Sequence, residues 1–234
     1  MTGLPISTYF SATKIKWLLD HVPAVKDALK NDDLLIGTVD TWLLWSLTGG
    51  DVYVTDATNA SRTQLMDLKT LEWDPFLLSF FDLPSGLIRF LPKIVSSCEI
   101  YGKLAKSKIQ GIPISACMGD QQAALVGQNC FRPGQAKCTY GTGCFMLYNV
   151  GPRIVHSNHG LISTIAYKLG PDVPPVYALE GSIAMAGGAV TFLQKQLNIF
   201  DRPQDIEIMA SKVPDAANVV FVPAFPGLFA PHWR

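Results

Sequence analysis

Residues 112–127 of this 234-residue chain read IPISACMGDQQAALVG. The first seven residues form a short apolar run that predicts a buried strand. Gly119-Asp120 follows and opens the helical pattern of residues 121–127. A strand that leads directly into a helix is typical of α/β folds, in which ligands bind beyond the carboxyl ends of the strands. The sequence therefore predicts that Asp120 lies at the edge of a sheet, where a ligand could reach it.

Strand and helix patterns alternate on both sides of this stretch and indicate α/β layers in both halves of the chain. Glycine and proline mark most of the expected ends of these elements. The predicted strands are 34–39, 161–167, 176–179 and 219–222, with a hairpin at 137–149 that turns at 141–143. The predicted helices are one capped by Ser11, one from Pro23 to Lys30, one capped by Asp40 and ended by Gly49-Gly50, one entered through Asp74-Pro75, and two near 183–196 and 204–212. The change of pattern near 128–136 suggests a boundary between two domains.

The composition argues against two classes of partner. Hydrophobic residues make up 48% of the chain, charged residues make up 16%, and 19 basic side chains balance 19 acidic ones. Nucleic-acid-binding proteins need basic stripes for the phosphate backbone, so we expect no nucleic-acid partner. No apolar run approaches the roughly 18 residues of a membrane span, and the N-terminus lacks a secretory pattern. We therefore expect no transmembrane segment.

The five cysteines are expected to be reduced thiols. They form no C-x-x-C pair, and no histidine lies at metal-ligand spacing from them. Reduced thiols are typical of the cytoplasm, so the cysteine pattern predicts a cytoplasmic protein without a metal site.

Three short stretches could carry chemistry, and each has a structural alternative. Asp120 could accept a proton during phosphoryl transfer, or it could simply cap the helix that follows. The Gly141-Thr142-Gly143 run could approach phosphate oxygens, or it could be an ordinary hairpin turn; no Walker lysine follows it. Gly187-Gly188 could admit a nucleotide or another helix close to the backbone. The residues alone leave these alternatives open.

Taken together, five stretches resemble the FGGY carbohydrate kinases. YFSATKIKWLLDH at 9–21 is similar to the first motif of that family. The remaining four are similar to its glycerol kinase branch: GTVDTWL at 37–43, TNASRT at 58–63, GDQQAAL at 119–125 and TYGTGCF at 139–145. The resemblance covers essentially the whole chain. Cys138 is a departure, because the family more often has Asn at that position.

The resemblance implies an actin-like ATPase fold of ribonuclease H type, with two α/β domains and an active site in the cleft between them. Residues 1–128 resemble the C-terminal part of the first domain, on the substrate side, and residues 129–234 the N-terminal part of the second, on the nucleotide side. The implied substrates are glycerol and ATP with Mg²⁺. Homo-oligomerisation is left open.

The family also implies roles for six residues of this sequence. They are Asp120 as the general base, Tyr9 and Gln121 as glycerol contacts, Phe145 as the aromatic packed on the glycerol carbons, and Thr142 and Gly187 as nucleotide contacts. Against the family pattern the chain looks like a central fragment, because it lacks the first phosphate loop and the adenine-side glycine. We accordingly expect the 234 residues alone to be inactive and to expose apolar surface. A truncated, inactive kinase-like protein that binds or regulates a partner remains the alternative.

Overall fold

The computed structural model describes residues 1–105 and 108–234, which form a mixed α/β chain. The helices, in chain order, are α1 (Ser11–His21), α2 (Pro23–Lys30), α3 (Val39–Leu47), α4 (Ala57–Ala60), α5 (Pro75–Phe80), α6 (Asp120–Gly127), α7 (Gly187–Lys195) and α8 (Asp205–Ala210). A 3-10 helix spans Ser85–Phe90. The strands are β1 (Val54–Asp56), β2 (Met66–Asp67), β3 (Glu72–Trp73), β4 (Lys93–Val95), β5 (Cys98–Lys103), β6 (Pro113–Ala116), β7 (Ala136–Tyr140), β8 (Cys144–Gly151), β9 (Ile162–Tyr167) and β10 (Val176–Ile183).

The largest sheet has four antiparallel strands in the order β7-β8-β10-β9. β7 and β8 form a hairpin in which Tyr140 pairs with Cys144 across a three-residue turn. The other sheets each have two strands: β1 and β4 are parallel, whereas β2 with β3 and β5 with β6 are antiparallel. The hairpin and the strand at 162–167 confirm the sequence prediction.

Strand β9 is an edge strand of the four-stranded sheet, yet it is buried along its whole length. One of its faces places Ile165 in a core cluster with Ala57 and Ala60 of α4. The other face places Ala166 in a cluster with Leu125 of α6. Successive side chains of a strand point to opposite faces, so both faces of β9 are covered by helices from the first half of the chain.

A third core cluster joins α1, α5 and the 3-10 helix, and α2 packs against it. Leu19 of α1, Leu78 of α5 and Leu87 of the 3-10 helix are all buried in it. Two of the elements around it start at prolines, as predicted: α2 begins at Pro23 and α5 at Pro75. Proline suits the first helical position, where its missing N–H has no partner to lose.

Two predicted strands are wrong. Residues 34–38 belong to no strand of the described sheets, and Val39 is already the first residue of α3. Ile36 donates its N–H to the Phe90 carbonyl at 3.0 Å, and its carbonyl accepts from the Tyr53 hydroxyl at 2.6 Å. Residues 219–222 are exposed and belong to no strand of the described sheets. A short β-branched run becomes a strand only where a partner strand lies alongside it, and neither segment has one among the described residues.

Two predicted helix caps are also wrong. Ser11 is the first residue of α1, after Phe10, and no side chain caps that helix. Asp40 is the second residue of α3 and accepts a hydrogen bond from the Asn59 side chain at 2.6 Å instead. In both cases the helix starts one or two residues away from the position that the pattern suggested.

Candidate functional site

Asp120 is the first residue of α6 and is exposed. Its Oδ1 accepts a hydrogen bond from the N–H of Gln121 at 2.8 Å, while Gly119 before it donates to the Thr58 hydroxyl at 2.9 Å. The Gly119 bond fixes the start of the helix against the α4 region. The Asp120 carboxylate therefore combines a fixed backbone position with access from solvent.

The strand that leads to Asp120 is not buried, contrary to the prediction. β6 is largely exposed, and its only neighbour among the described strands is β5. Ile100 and Ile112 of this two-stranded unit are 71% and 49% exposed. An apolar strand pattern does not by itself bury a strand, because burial requires a second layer over it. Val52 and Thr48 approach β5 at Gly102, but β6 stays largely exposed.

Lys137 connects the hairpin to α6. It is only 2% exposed, and its Nζ donates to Gln121 Oε1, to the Thr139 hydroxyl at 3.0 Å and to the Phe145 carbonyl at 3.4 Å. Burial lowers the pKa of the Lys137 ammonium. Its bond to Gln121 fixes the side chain that follows Asp120 against the face of the sheet that carries Phe145.

A buried ion pair lies near the same face. Arg62 contacts Glu180 through two bonds, Nη1 to Oε2 at 2.7 Å and Nη2 to Oε1 at 3.0 Å. Glu180 is 1% exposed and also accepts from the Ser182 hydroxyl at 2.6 Å. Arg62 also lies 5.3 Å from the ring centre of Phe10. Two-bond pairing of this kind fixes both side chains in one geometry.

Tyr9 and Asp40 belong to the same electrostatic neighbourhood. Burial raises the pKa of the Tyr9 hydroxyl; Arg62 lowers it, and the Glu180 and Asp120 carboxylates raise it further. Burial likewise raises the pKa of Asp40, and the Asp120 charge adds to that shift. A positive and several negative groups thus surround the Asp120 end of α6.

The hairpin turn packs directly against the start of α7. Gly187 donates its N–H to the Gly141 carbonyl at 2.9 Å, and Gly188 donates to the Thr142 carbonyl at 3.0 Å. The Gly141 N–H is bonded to the Gly143 carbonyl at 2.8 Å. The close neighbour of Gly187 is therefore the turn itself, rather than another helix, and these three N–H groups already have backbone acceptors.

Replacement of Gly187 by Ala should lower the free energy of unfolding by about 1–3 kcal/mol, because the new methyl group overpacks this contact. A Cβ at this position would lie 2.6 Å from the Gly141 carbonyl oxygen. Gly127→Ala is the matched control, since a Cβ there meets nothing within 4 Å and should be neutral or stabilising by up to ~1 kcal/mol. Urea denaturation of both variants tests this, and equal stabilities would contradict the packing explanation.

The six predicted residues fall into two groups. Lys137 bridges Gln121 to Phe145, and Asp120 and Tyr9 share an electrostatic neighbourhood with Arg62 and Glu180. Thr142 and Gly187 lie together at the turn end of the hairpin, where Thr142 is exposed. The chain thus presents one group around the start of α6 and a second group where the hairpin meets α7.

Sequence reasoning missed three of the residues that hold this region together. Arg62 lay inside the stretch at 58–63 but received no role. Lys137 and Glu180 are single charged residues within otherwise uncharged strands, at AKCTY and VYALEGSI. Burial of a charge costs free energy unless the charge is paired. A single charged residue in an otherwise uncharged strand could therefore have indicated a buried polar contact.

Two cavities of the described chain differ in their relation to the six predicted residues. A cavity of about 580 Å³ borders Gly3, Gln64 and Phe80 and includes none of the six predicted residues. A cavity of about 360 Å³ includes Tyr9, beside Lys14 and Phe229.

Within residues 1–105 and 108–234, no group of three or more His, Cys, Asp or Glu side chains is arranged to hold a metal ion. None of the helices in the described chain is long and apolar enough to cross a membrane.

Comparison with known proteins gives glycerol kinases at high identity. The chain is 55% identical to the glycerol kinase of Brucella anthropi over 236 aligned residues, which cover 100% of this chain and 46% of that protein. It is 54% identical to the glycerol kinase of Arabidopsis thaliana, covering 99% of this chain and 44% of the relative. The chain therefore spans about half the length of the curated relatives that it matches.

Solved structures show the same fold. Plasmodium falciparum glycerol kinase with ADP superposes with a TM-score of 0.85 at 45% identity, covering 100% of this chain and 46% of that one. A gluconate kinase from Lactobacillus acidophilus has a TM-score of 0.77 at 24% identity, covering 99% and 46%. The fold class is thus the actin-like, ribonuclease H-like α/β fold of these kinases, as expected.

Two models of one family account for nearly the whole sequence. The N-terminal domain model of the FGGY family of carbohydrate kinases matches residues 1–127. Its C-terminal domain model matches residues 136–234. The chain belongs to the FGGY family of carbohydrate kinases.

Proposed function

We propose that the protein containing this chain is a glycerol kinase, which transfers the γ-phosphoryl group of ATP to a terminal hydroxyl of glycerol. The identity of 45–55% to glycerol kinases across essentially the whole chain is the observation that carries this proposal.

ATP arrives with Mg²⁺ as the substrate complex. We place the protein in the cytoplasm, which fits a chain whose five cysteines are all free thiols. We assign residues 1–128 to the substrate-side domain and residues 129–234 to the nucleotide-side domain.

Asp120 is proposed as the general base. As the glycerol oxygen bonds to the γ-phosphorus, its proton passes to the Asp120 carboxylate while the bond to the β-phosphate oxygen breaks and ADP leaves. The exposure of Asp120 at the start of α6 supports this role. Gln121, fixed by Lys137, and Tyr9 would contact the glycerol hydroxyls. Phosphoryl transfer depends mainly on such positioning.

Thr142 and Gly187 are proposed to contact the nucleotide. The bonds from Gly187 and Gly188 to the turn carbonyls fix the Thr142 backbone against α7, and its side chain is exposed beside the start of that helix. Because the Gly141 and Gly187 N–H groups already have acceptors, we assign the phosphate contact at the turn to the Thr142 hydroxyl rather than to those amides.

A chimera tests the proposed activity. Residues 1–234 would replace the matching segment of the Brucella anthropi glycerol kinase, which supplies the rest of the family's length. We expect ATP consumption that depends on glycerol and yields glycerol 3-phosphate. Xylulose and gluconate serve as competing substrates, because kinases with those names share the fold. A soluble chimera that phosphorylates either sugar substrate faster than glycerol would overturn the proposal.

Phe145→Ala in this chimera should raise the KM for glycerol by about tenfold and leave the KM for ATP nearly unchanged. The lost contact of the half-buried ring with the glycerol carbons corresponds to about 1–3 kcal/mol. Phe131→Ala is the control, because Phe131 packs on Tyr167, away from the predicted residues. Steady-state kinetics with each substrate varied separately measure both values. A defect confined to the ATP KM would mean that Phe145 belongs to the nucleotide side.

A further inference from the structure

Two cysteines face each other across the hairpin, outside the chemistry described so far. The sulfur of Cys138 in β7 lies 3.4 Å from the sulfur of Cys144 in β8. Cys138 is exposed, whereas Cys144 is 8% exposed. Both are free thiols, and together they bracket the turn at 141–143.

Their placement in the sheet explains the contact. Cys138 pairs with Met146, and Cys144 pairs with Tyr140, so the two cysteines are diagonal neighbours on one face of the hairpin. Tyr140 and Met146 on this face are 80% and 47% exposed. The opposite face carries Lys137 and Phe145. Solvent therefore reaches the thiol pair through Cys138, and the pair is separate from the buried polar contacts.

We propose that Cys138 and Cys144 form a reversible disulfide when the protein meets a low-molecular-weight disulfide. The Cys138 thiolate attacks one sulfur of that oxidant, forms a mixed disulfide and releases one thiolate. Cys144 then gives up its proton to solvent and attacks the Cys138 sulfur, which releases the second thiol. In balance, two protein thiols and one small disulfide become one protein disulfide and two small thiols, with two electrons passing to the oxidant.

The order of these steps follows from burial. Burial raises the pKa of the Cys144 thiol, so less thiolate is present there, and the exposed Cys138 meets the oxidant first. Once Cys138 carries the mixed disulfide, Cys144 is already in contact with the sulfur it must attack. Its low thiolate fraction is offset by this proximity.

Disulfide formation would change the turn. The two sulfurs must approach by a further ~1.4 Å, and diagonal strand positions are wider than a relaxed disulfide prefers. The strands must therefore shift, and the turn at 141–143 moves with them. The carbonyls of Gly141 and Thr142 in this turn accept the hydrogen bonds from Gly187 and Gly188, so a movement of the turn would weaken those bonds. The strain also makes the disulfide easy to reduce. This chemistry does not depend on the proposed kinase activity.

Incubation of the 234-residue chain with oxidised glutathione, followed by peptide mass spectrometry, tests the proposal. We expect the peptide holding Cys138 and Cys144 to lose two hydrogens and carry no glutathione. Cys98, exposed on β5 in a different sheet, should instead keep a glutathione adduct. Hydrogen exchange at the Gly187 and Gly188 amides should speed up roughly tenfold in the oxidised chain and return to its original rate on reduction.

Two variants make the outcome decisive. Cys144→Ser should retain a stable glutathione adduct on Cys138, because no second thiol displaces it. Cys138→Ser should leave Cys144 largely unmodified. A wild-type chain that keeps glutathione on Cys138 as Cys144→Ser does, or that reacts at neither thiol while Cys98 reacts, would overturn the proposal. Disulfide formation with unchanged exchange at Gly187 and Gly188 would overturn the coupling to the turn.

Discussion

Asp120→Asn in the chimera is expected to lower turnover by about 10²–10⁴-fold, the range for loss of a general base. The amide oxygen of Asn can still accept the hydrogen bond from the Gln121 N–H, so the start of α6 should keep its structure. It cannot take the proton from the glycerol hydroxyl as the phosphoryl group moves. The KM for glycerol should change much less than turnover. Steady-state rates of glycerol 3-phosphate formation give both numbers.

Asp205→Asn is the matched control for this variant. Asp205 is also the first residue of a short helix, α8, and forms an ion pair with Arg202. Its replacement should leave turnover unchanged. If Asp120→Asn also keeps near-normal turnover, Asp120 serves the start of its helix only, and the base must be sought elsewhere.

Glu180→Ala is expected to lower the free energy of unfolding of the chain by about 3 kcal/mol. Removal of one partner of a buried ion pair leaves the other charge unpaired, which typically costs 3–5 kcal/mol. We expect the lower end because the Arg62 side chain is 22% exposed and retains some contact with water. Urea denaturation of the variant and the parent chain measures the difference.

Asp27→Ala provides the comparison for Glu180→Ala. Asp27 pairs with Lys30 within α2, but both side chains are more than half exposed. Exposed pairs contribute about 0–1 kcal/mol, so this variant should be close to the parent chain. If both variants lower the free energy of unfolding by the same amount, the Arg62–Glu180 pair stabilises the chain no more than an exposed pair does. Measuring Arg62→Ala alone and combined with Glu180→Ala completes a double-mutant cycle that isolates the interaction of the pair.

Local sequence patterns predicted the elements whose ends are marked by particular residues. Pro23 and Pro75 begin helices, and the glycines at 141 and 143 flank the turn of a hairpin. Residues 34–39 and 219–222 have equally good strand composition but form no strand. Whether such a run pairs depends on a distant neighbour, and composition carries no information about that neighbour.

In the candidate site, too, local sequence patterns identified some residues but not the long-range contacts between them. Asp120 was identified because it follows a strand pattern and opens a helix pattern, and Thr142 and Gly187 because they lie in glycine-containing runs. The contacts that organise the site are long-range: Arg62 and Glu180 are 118 positions apart, and no local pattern pairs one with the other. Tyr9, Gln121 and Phe145 came from family resemblance alone, and the roles of all six residues remain proposals.

The double-sided burial of β9 bears on how the chain acquires its structure during synthesis. α4 and α6 are synthesised before β9. The apolar side chains of α4 that pack on Ile165, and those of α6 that pack on Ala166, therefore stay uncovered until residues 162–167 have been made. Contacts of such large sequence separation slow folding, and apolar surface exposed in the meantime is prone to aggregation. A nascent chain ending near residue 128 should consequently depend on chaperones, and release from them should coincide with emergence of β9 from the ribosome.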